Sequence, residues 1–160
     1  MPSSIEVTVK KTEPMTVAFL CKRGPYTLIS AAFSKLYGWI GEKSYISTGP
    51  PLGVYFNAPE QVPAEELLWE ICSPIAGDVA PSGPDEKGLG VKKLEGAEVA
   101  STTHKGPFDQ VENTIHALEA WIAENDYEIV GPYEEIYLTD PGKSTPEELL
   151  TEVRFPVRKR

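Results

Sequence analysis

The sequence is poor in the residue types that hold metals, disulfides and covalent reaction intermediates. Of its 160 residues, two are cysteine and two are histidine. Cys21 and Cys72 form no CxxC or Cys/His cluster, and His104 and His116 have neither metal-ligand spacing nor a Ser/His/Asp arrangement. The sequence therefore predicts free thiols, no metal site, no cofactor and no hydrolase of the triad type.

The sequence also lacks a long apolar run and a basic region. No run approaches the ~18 apolar residues of a membrane-spanning helix, and the N-terminus has no apolar segment of a signal peptide. The net charge is -9, whereas nucleic-acid phosphates require a basic surface. P-loop and GxGxxG fingerprints are absent as well. We therefore expect a cytoplasmic protein that binds neither membranes, nucleic acids nor nucleotides.

What the sequence does contain is an internal repeat. Residues 7–75 and 89–157 align without a gap at an offset of 82. About 23 of the roughly 69 aligned pairs are identical, against on the order of one in fifteen expected by chance. The alignment indicates a duplicated unit, and residues 76–88, rich in Gly, Pro and charged residues, are predicted to be a linker.

Each repeat combines strand-like segments with one amphipathic helix. Apolar residues recur at i, i+4, i+7 and i+11 from Ile29 in the first repeat and from Val111 in the second, which predicts helices over Tyr26–Glu42 and Phe108–Asn125. One helix on a few strands is a thin core for about 70 residues. We therefore expect a single α+β domain over residues 1–160, in which two tandem strand-helix-strand-strand modules pack with pseudo-two-fold symmetry and a ligand cleft lies between them.

Residues that differ between the repeats are the candidates for function, because a single off-axis site needs its functional group only once. Glu135 aligns with Gly53, so the acid is present in one repeat only, and Trp69 has no aromatic counterpart. Glu70 and Glu152 recur, and we interpret them as scaffold.

Strand alternation defines a candidate site face. It places Glu135 and Tyr137 opposite Ile136 and Leu138, and Tyr55 occupies the position of Tyr137 in the first repeat. The site face then gathers one acid and two tyrosines. A solvated strand residue is the alternative interpretation for Glu135.

Trp69 has two interpretations. It shares its strand parity with Leu67 and Ile71, which favours a place in the core. Alternation alone leaves open whether this tryptophan lines the cleft or the core.

With these features in view, the sequence resembles the GyrI-like small-molecule-binding domain, the effector-binding module of BmrR-type multidrug-sensing regulators. The resemblance covers nearly the whole chain. The motifs that carry it are GPY at Gly24–Tyr26, GVYF at Gly53–Phe56, LWEIC at Leu68–Cys72, HKGPF at His104–Phe108 and YEEIYLTDP at Tyr133–Pro141. No helix-turn-helix precedes them, which suggests a stand-alone member.

The resemblance implies an aromatic cleft with one acid, which maps onto Glu135, and ligand-binding roles for Tyr55, Trp69, Phe108 and Tyr137. The implied function is to sense or sequester lipophilic, often cationic, aromatic compounds. One alternative is a hydrolase of cyclopropane-bearing DNA-alkylating natural products, in which the catalytic residue Glu135 orients or deprotonates water within the same cage. A second alternative is an inhibitor that has DNA gyrase as its partner.

Overall fold

The structure is a computed structural model that describes residues 5–57, 60–139 and 143–160. Within these ranges the chain forms nine strands, paired antiparallel, and two α-helices, which confirms the expected α+β class. In chain order the elements are β1 (Thr8–Lys11), β2 (Met15–Arg23), α1 (Ile29–Glu42), β3 (Leu52–Tyr55), β4 (Leu68–Pro74), β5 (Leu89–Leu94), β6 (Glu98–Lys105), α2 (Val111–Glu124), β7 (Tyr127–Ile129), β8 (Tyr133–Tyr137) and β9 (Leu150–Lys159). Asp140 and Pro141, which end the last family motif, lie outside the described residues.

The chain divides into two compact units, which are described separately. The first unit is Pro14–Glu95, and its strands lie in the order β3-β4-β2-β5. The second unit is Met1–Glu13 with Gly96–Arg160, and its strands lie in the order β1-β6-β9-β8, with β7 also paired to β9. Each unit therefore has one helix and its own set of antiparallel strands.

The two helices form as their apolar spacing predicts. α1 buries Ala32, Leu36 and Ile40 against β2 and β4, and α2 buries Leu118 and Ile122 against β6, β7 and β9. Residues one helical turn apart share a face, so each helix presents one apolar stripe to its sheet.

The first turn of each predicted helix is a 3₁₀ turn, at Tyr26–Leu28 and at Phe108–Gln110. A Gly-Pro pair precedes both turns. Gly24 and Gly106 have φ of 142° and 127°, a region that side-chain-bearing residues rarely adopt, and the following proline fixes φ for the turn. The repeated Gly-Pro pairs therefore end a strand and start a helix in both units.

The opening strand of each sequence repeat belongs to the compact unit formed mainly by the other repeat. β1 pairs with β6 in the second unit, and β5 pairs with β2 in the first. A lysine on each opening strand meets a glutamate of the same unit: Lys10 Nζ lies 2.9 Å from Glu152 Oε2, and Lys92 pairs with Glu70. The lysine and the glutamate that recur in both repeats therefore form an ion pair in each unit. This pair joins each opening strand to the other strands of its unit.

The segment predicted to be a linker is held by backbone hydrogen bonds. Ser82 and Val91 exchange N–H···O bonds of 2.9 Å in both directions, and the Cys21 N–H donates to the Gly88 carbonyl at 2.9 Å. Asp85 caps the following turn, because its Oδ1 accepts from the Leu89 N–H at 3.0 Å. These bonds lay the segment along the edge of β5.

Two glycines make a matched test of backbone packing. A Cβ on Gly90 would lie 2.3 Å from the Ser82 carbonyl oxygen and 2.9 Å from the Phe19 ring, whereas a Cβ on Gly38, exposed in α1, would meet nothing within 4 Å. We expect Gly38→Ala to raise the free energy of unfolding by about 0.5–1 kcal/mol, because alanine is the better helix former. Gly90→Ala is expected to lower it. Thermal melts of both variants check the pair, and a Gly90→Ala protein as stable as the parent would contradict the packing at β5.

Candidate functional site

The candidate site is built on β8, the strand that carries Glu135. Tyr133, Glu135 and Tyr137 alternate onto one face, and the register pairs Glu135 with Val153 and Tyr137 with Thr151. Val153 belongs to the buried cluster beneath α2. The three side chains are therefore on the helix-bearing face of the sheet, where all three are half-buried.

This arrangement corrects the expected division of faces. Ile136 is buried, as expected, but on the face opposite α2, and Leu138 lies beyond the end of β8 and is 44% exposed. The face of Glu135 is shared with the core because α2 packs on β6, β7 and β9. Neighbouring β8 thus continues the same face with polar and aromatic side chains.

Both carboxylate oxygens of Glu135 accept a hydrogen bond from a tyrosine hydroxyl. Tyr133 Oη donates to Oε2 at 2.7 Å, and Tyr137 Oη donates to Oε1 at 2.9 Å. Short bonds from a hydroxyl to a charged acceptor are among the stronger hydrogen bonds in proteins. The two rings therefore fix the direction of the carboxylate from both sides.

Further aromatic rings surround this clamp. Phe108 meets Tyr137 edge-to-face, with ring centroids 5.9 Å apart, and Tyr133 packs on Phe155 at 5.2 Å. Phe108 is 39% exposed, which is unusual for a phenylalanine that anchors a packed cluster. The Glu135 cluster, as we call Tyr133, Glu135, Tyr137 and Phe108, is thus one acid among partly exposed rings.

His104 holds the turn that carries Phe108. Its Nε2 lies 3.0 Å from the Pro107 carbonyl oxygen, and its Nδ1 lies 2.7 Å from Thr114 Oγ1. A carbonyl oxygen can only accept, so Nε2 bears the hydrogen and, in the neutral ring, Nδ1 accepts from the threonine hydroxyl. His104 therefore links the end of β6 to α2 and fixes the turn between them.

The first unit has the same aromatic pair but no acid. Tyr26 and Tyr55, which align with Phe108 and Tyr137, meet edge-to-face at 5.3 Å. A Cβ on Gly53 would lie 2.6 Å from the Tyr55 hydroxyl. The glycine lets the tyrosine fold onto the strand, and the hydroxyl occupies the space that a side chain at this position would need.

Trp69 lies in the core of the first unit, with no exposed surface. Its indole N–H donates to the Gly24 carbonyl at 2.9 Å, so it holds the Gly-Pro turn before α1. Its register partner is Tyr55, which is 9% exposed. Trp69 is therefore a core residue in this structure, and its contact with a ligand stays a prediction.

Glu152 is the contrasting carboxylate of the second unit. It lies on the face opposite Glu135 and meets Lys10, the Ser101 hydroxyl at 2.8 Å and Arg154 Nη1 at 3.5 Å. Burial raises the pKa of Glu152, but the hydrogen bonds from Lys10 and Ser101 and the charges of Lys10 and Arg154 outweigh it, so the pKa lies below its usual value. Glu152 is thus fully engaged in holding strands together.

The structure brings three of the five predicted site residues together, Glu135, Tyr137 and Phe108, in the second unit. Tyr55 and Trp69 are neighbours in the first unit. Sequence reasoning missed Tyr133, although its position two residues before Glu135 gives it the same strand parity. It also missed Tyr26, which alignment with Phe108 would have identified.

A known family of domains matches this chain. The sequence matches the GyrI-like small molecule binding domain over residues 5–158. The chain belongs to this family. The GyrI-like chain is also 27% identical over 154 residues to a DNA gyrase inhibitor of Erwinia billingiae (strain Eb661), covering 94% of this chain and 96% of that protein.

Solved structures share the fold of this GyrI-like chain. The C-terminal domain of EcmrR is 20% identical with a TM-score of 0.78, and the match covers 98% of this chain and 99% of that one. A hydrolase encoded by lin2189 from Listeria innocua is 16% identical with a TM-score of 0.69, over 96% and 92% of the two chains. SAV2435 bound to tetraphenylphosphonium is 14% identical with a TM-score of 0.61, over 96% and 94%. At these identities the likeness shows the fold alone.

Within the described residues, neither α-helix has the length and apolar character needed to span a bilayer.

The scaffold role of Glu152 predicts a pH-dependent stability. Its folded pKa is lowered, so its contribution is present above the unfolded value of about 4.3 and is lost as pH falls through the folded pKa. We expect Glu152→Gln to melt below the parent at neutral pH, with the gap closing well below pH 4. Melting curves of both proteins across this range measure the gap, and a gap of equal size at every pH would show that charge is not the cause.

Proposed function

We propose that this GyrI-like chain binds lipophilic aromatic cations, with the Glu135 cluster as the cation-binding part of its site. The observation that carries the proposal is the carboxylate of Glu135, held by the hydroxyls of Tyr133 and Tyr137 at 2.7 and 2.9 Å. A carboxylate fixed among rings combines a charge with flat apolar surfaces. A lipophilic cation requires both.

The energetics favour a cation over a neutral compound. A tyrosine or phenylalanine face adds about 0.5–2 kcal/mol of cation–π attraction, and the net charge of -9 attracts cations to the protein. Rings and a single charge specify shape loosely, so selectivity should be broad. The neighbour SAV2435, whose structure is bound to tetraphenylphosphonium, supports this ligand class.

Tyr55 and Trp69 complete the predicted set of ligand residues. Tyr55 is 9% exposed and Trp69 is wholly buried, so both reach a ligand only if their surroundings rearrange. The proposal therefore rests on Glu135, and we expect substitutions at the two first-unit aromatics to change stability as well as binding.

The test uses tetraphenylphosphonium as the probe and Glu135→Gln as the variant. A unit cation about 6 Å from a carboxylate gains roughly 3 kcal/mol at an effective dielectric constant of 20, and screening at a half-exposed site reduces this. We expect Glu135→Gln to bind the probe about 10- to 100-fold more weakly. Isothermal titration calorimetry measures the change.

Two controls sharpen this measurement. Triphenylphosphine oxide, which is aromatic and neutral, should bind parent and Glu135→Gln equally well, and Glu152→Gln should keep its affinity for tetraphenylphosphonium. Loss of cation binding in Glu152→Gln but not in Glu135→Gln would reverse the assignment of site and scaffold.

A second candidate function is hydrolysis of cyclopropane-bearing alkylating compounds, favoured by the fold shared with the Listeria innocua hydrolase. Glu135 would take a proton from water as the water oxygen bonds to a ring carbon. The strained carbon–carbon bond breaks, and its electron pair takes up a proton. Each carboxylate oxygen has two lone pairs, so a tyrosine and a water can share one oxygen.

Mass spectrometry separates binding from hydrolysis. A compound that is only bound leaves the protein with its mass unchanged, whereas a hydrolysed compound gains the mass of one water, and that gain should disappear in Glu135→Gln. Inhibition of DNA gyrase is the third candidate, suggested by the name of the Erwinia relative, and pull-down of purified gyrase by this chain distinguishes it from both.

A further inference from the structure

A pocket lies in the first unit, on the sheet face opposite Trp69. It has a volume of about 590 Å³, and Phe19, Cys21, Glu70 and Lys92 line it together with Val91 and residues 81–84. Cys21 pairs with Glu70, and Phe19 pairs with Cys72, across β2 and β4. All of these residues belong to the first unit, and none belongs to the Glu135 cluster.

The rim of this pocket is fixed by the packing of residues 81–84. The Ser82–Val91 backbone bonds hold the segment on β5, and Gly90 lets Ser82 and the Phe19 ring approach closely. A Cβ on Gly83, whose φ is 80°, would lie 2.6 Å from the Leu89 carbonyl oxygen. The pocket is therefore bounded by a segment that depends on two glycines for its path.

Glu70 is the acid of this pocket, and it has fewer partners than its counterpart Glu152. Its side chain is 7% exposed. Lys92 and the Cys72 thiol, at 3.6 Å, both meet its Oε1. Among the residues that the structure describes, none donates a hydrogen bond to Glu70 Oε2. A buried carboxylate is stable only when charges and hydrogen bonds compensate its burial.

The counterpart in the second unit shows which partners are missing. Glu152 Oε2 meets Lys10, the Ser101 hydroxyl and the Arg154 guanidinium. In the alignment of the repeats, Phe19 replaces Ser101 and Cys72 replaces Arg154. The first unit therefore keeps the Glu–Lys pair but replaces a cation and a hydroxyl donor with an aromatic ring and a thiol.

Glu70 meets one cation, whereas Glu152 meets two. Lys92 is held at Oε1, with its Nζ 4.8 Å from the centre of the Phe19 ring. Burial raises the pKa of the Cys21 thiol most, the charge of Glu70 raises it further, and the charges of Lys92 and Arg23 lower it.

We propose that the Glu70 pocket binds small aromatic ammonium compounds, with the ammonium group donating to Glu70 Oε2 and the ring lying against Phe19, Pro81 and Pro84. The ligand cation supplies the charge that Arg154 supplies in the second unit. This site is separate from the Glu135 cluster and does not depend on the function proposed for it.

The experiment uses benzylamine, which is protonated at neutral pH, and ¹⁵N-labelled protein. We expect saturable shifts of the Cys21, Ser82, Val91 and Lys92 amide signals, with a dissociation constant on the order of millimolar for so small a ligand. Glu70→Gln should weaken binding at least about tenfold. Benzoate, which has the same ring and the opposite charge, should not shift these signals.

Three further variants distinguish binding at the Glu70 pocket from binding elsewhere on the protein. Glu152→Gln, the matched change in the second unit, and Glu135→Gln should leave benzylamine binding at these amides unchanged. Cys21→Leu narrows the pocket and leaves the Glu70–Lys92 pair in place, so it should weaken binding even if Glu70→Gln does not fold. Equal binding of benzoate, undiminished binding by Cys21→Leu, or no saturable shift would each overturn the proposal.

Discussion

The antiparallel register of β9 determines what the second unit can do. β9 pairs with β6 on one side and β8 on the other, and this places Val153 between Thr102 and Glu135 on the face that packs under α2. Because strand side chains alternate, a shift of one residue would move Glu135 and both of its tyrosines to the opposite face. The opposite face already holds the Glu152 ion pairs. The register of β9 therefore gives the strands of the second unit one core face and one charged face.

The two carboxylates Glu135 and Glu152 of the second unit have different surroundings. Glu152 meets two cations and a hydroxyl, and the two cations neutralise the charge of its carboxylate. Two of the hydrogen-bond partners of Glu135 are neutral hydroxyls, which orient the carboxylate. Hydroxyl groups can orient a carboxylate toward a ligand cation, whereas the two cations at Glu152 join neighbouring strands.

The differences between the units have a common physical form. Where the first unit has Gly53, a tyrosine hydroxyl fills the space, and where the second unit has Glu135, the tyrosine hydroxyl binds the acid. In the second unit Arg154 pairs with Glu152. The first unit has Cys72 at the equivalent position and a pocket beside Glu70. In both comparisons the two units have equivalent strands. The side chain at one position determines whether the space beside it is filled by packing or holds a polar group.

Local patterns in the sequence were enough to predict the α+β class, the family and both helices, and they singled out Glu135 as a candidate, because apolar spacing and a single unmatched acid are local properties of the chain. It also contained the signal for Tyr133, in the alternation of β8. Three features follow only from long-range packing: β1 and β5 pair across the boundaries of the sequence repeats, Trp69 is buried, and residues 81–84 border a pocket. These outcomes depend on which distant strands meet and on how much room their side chains leave, and neither quantity is written in any short stretch of sequence.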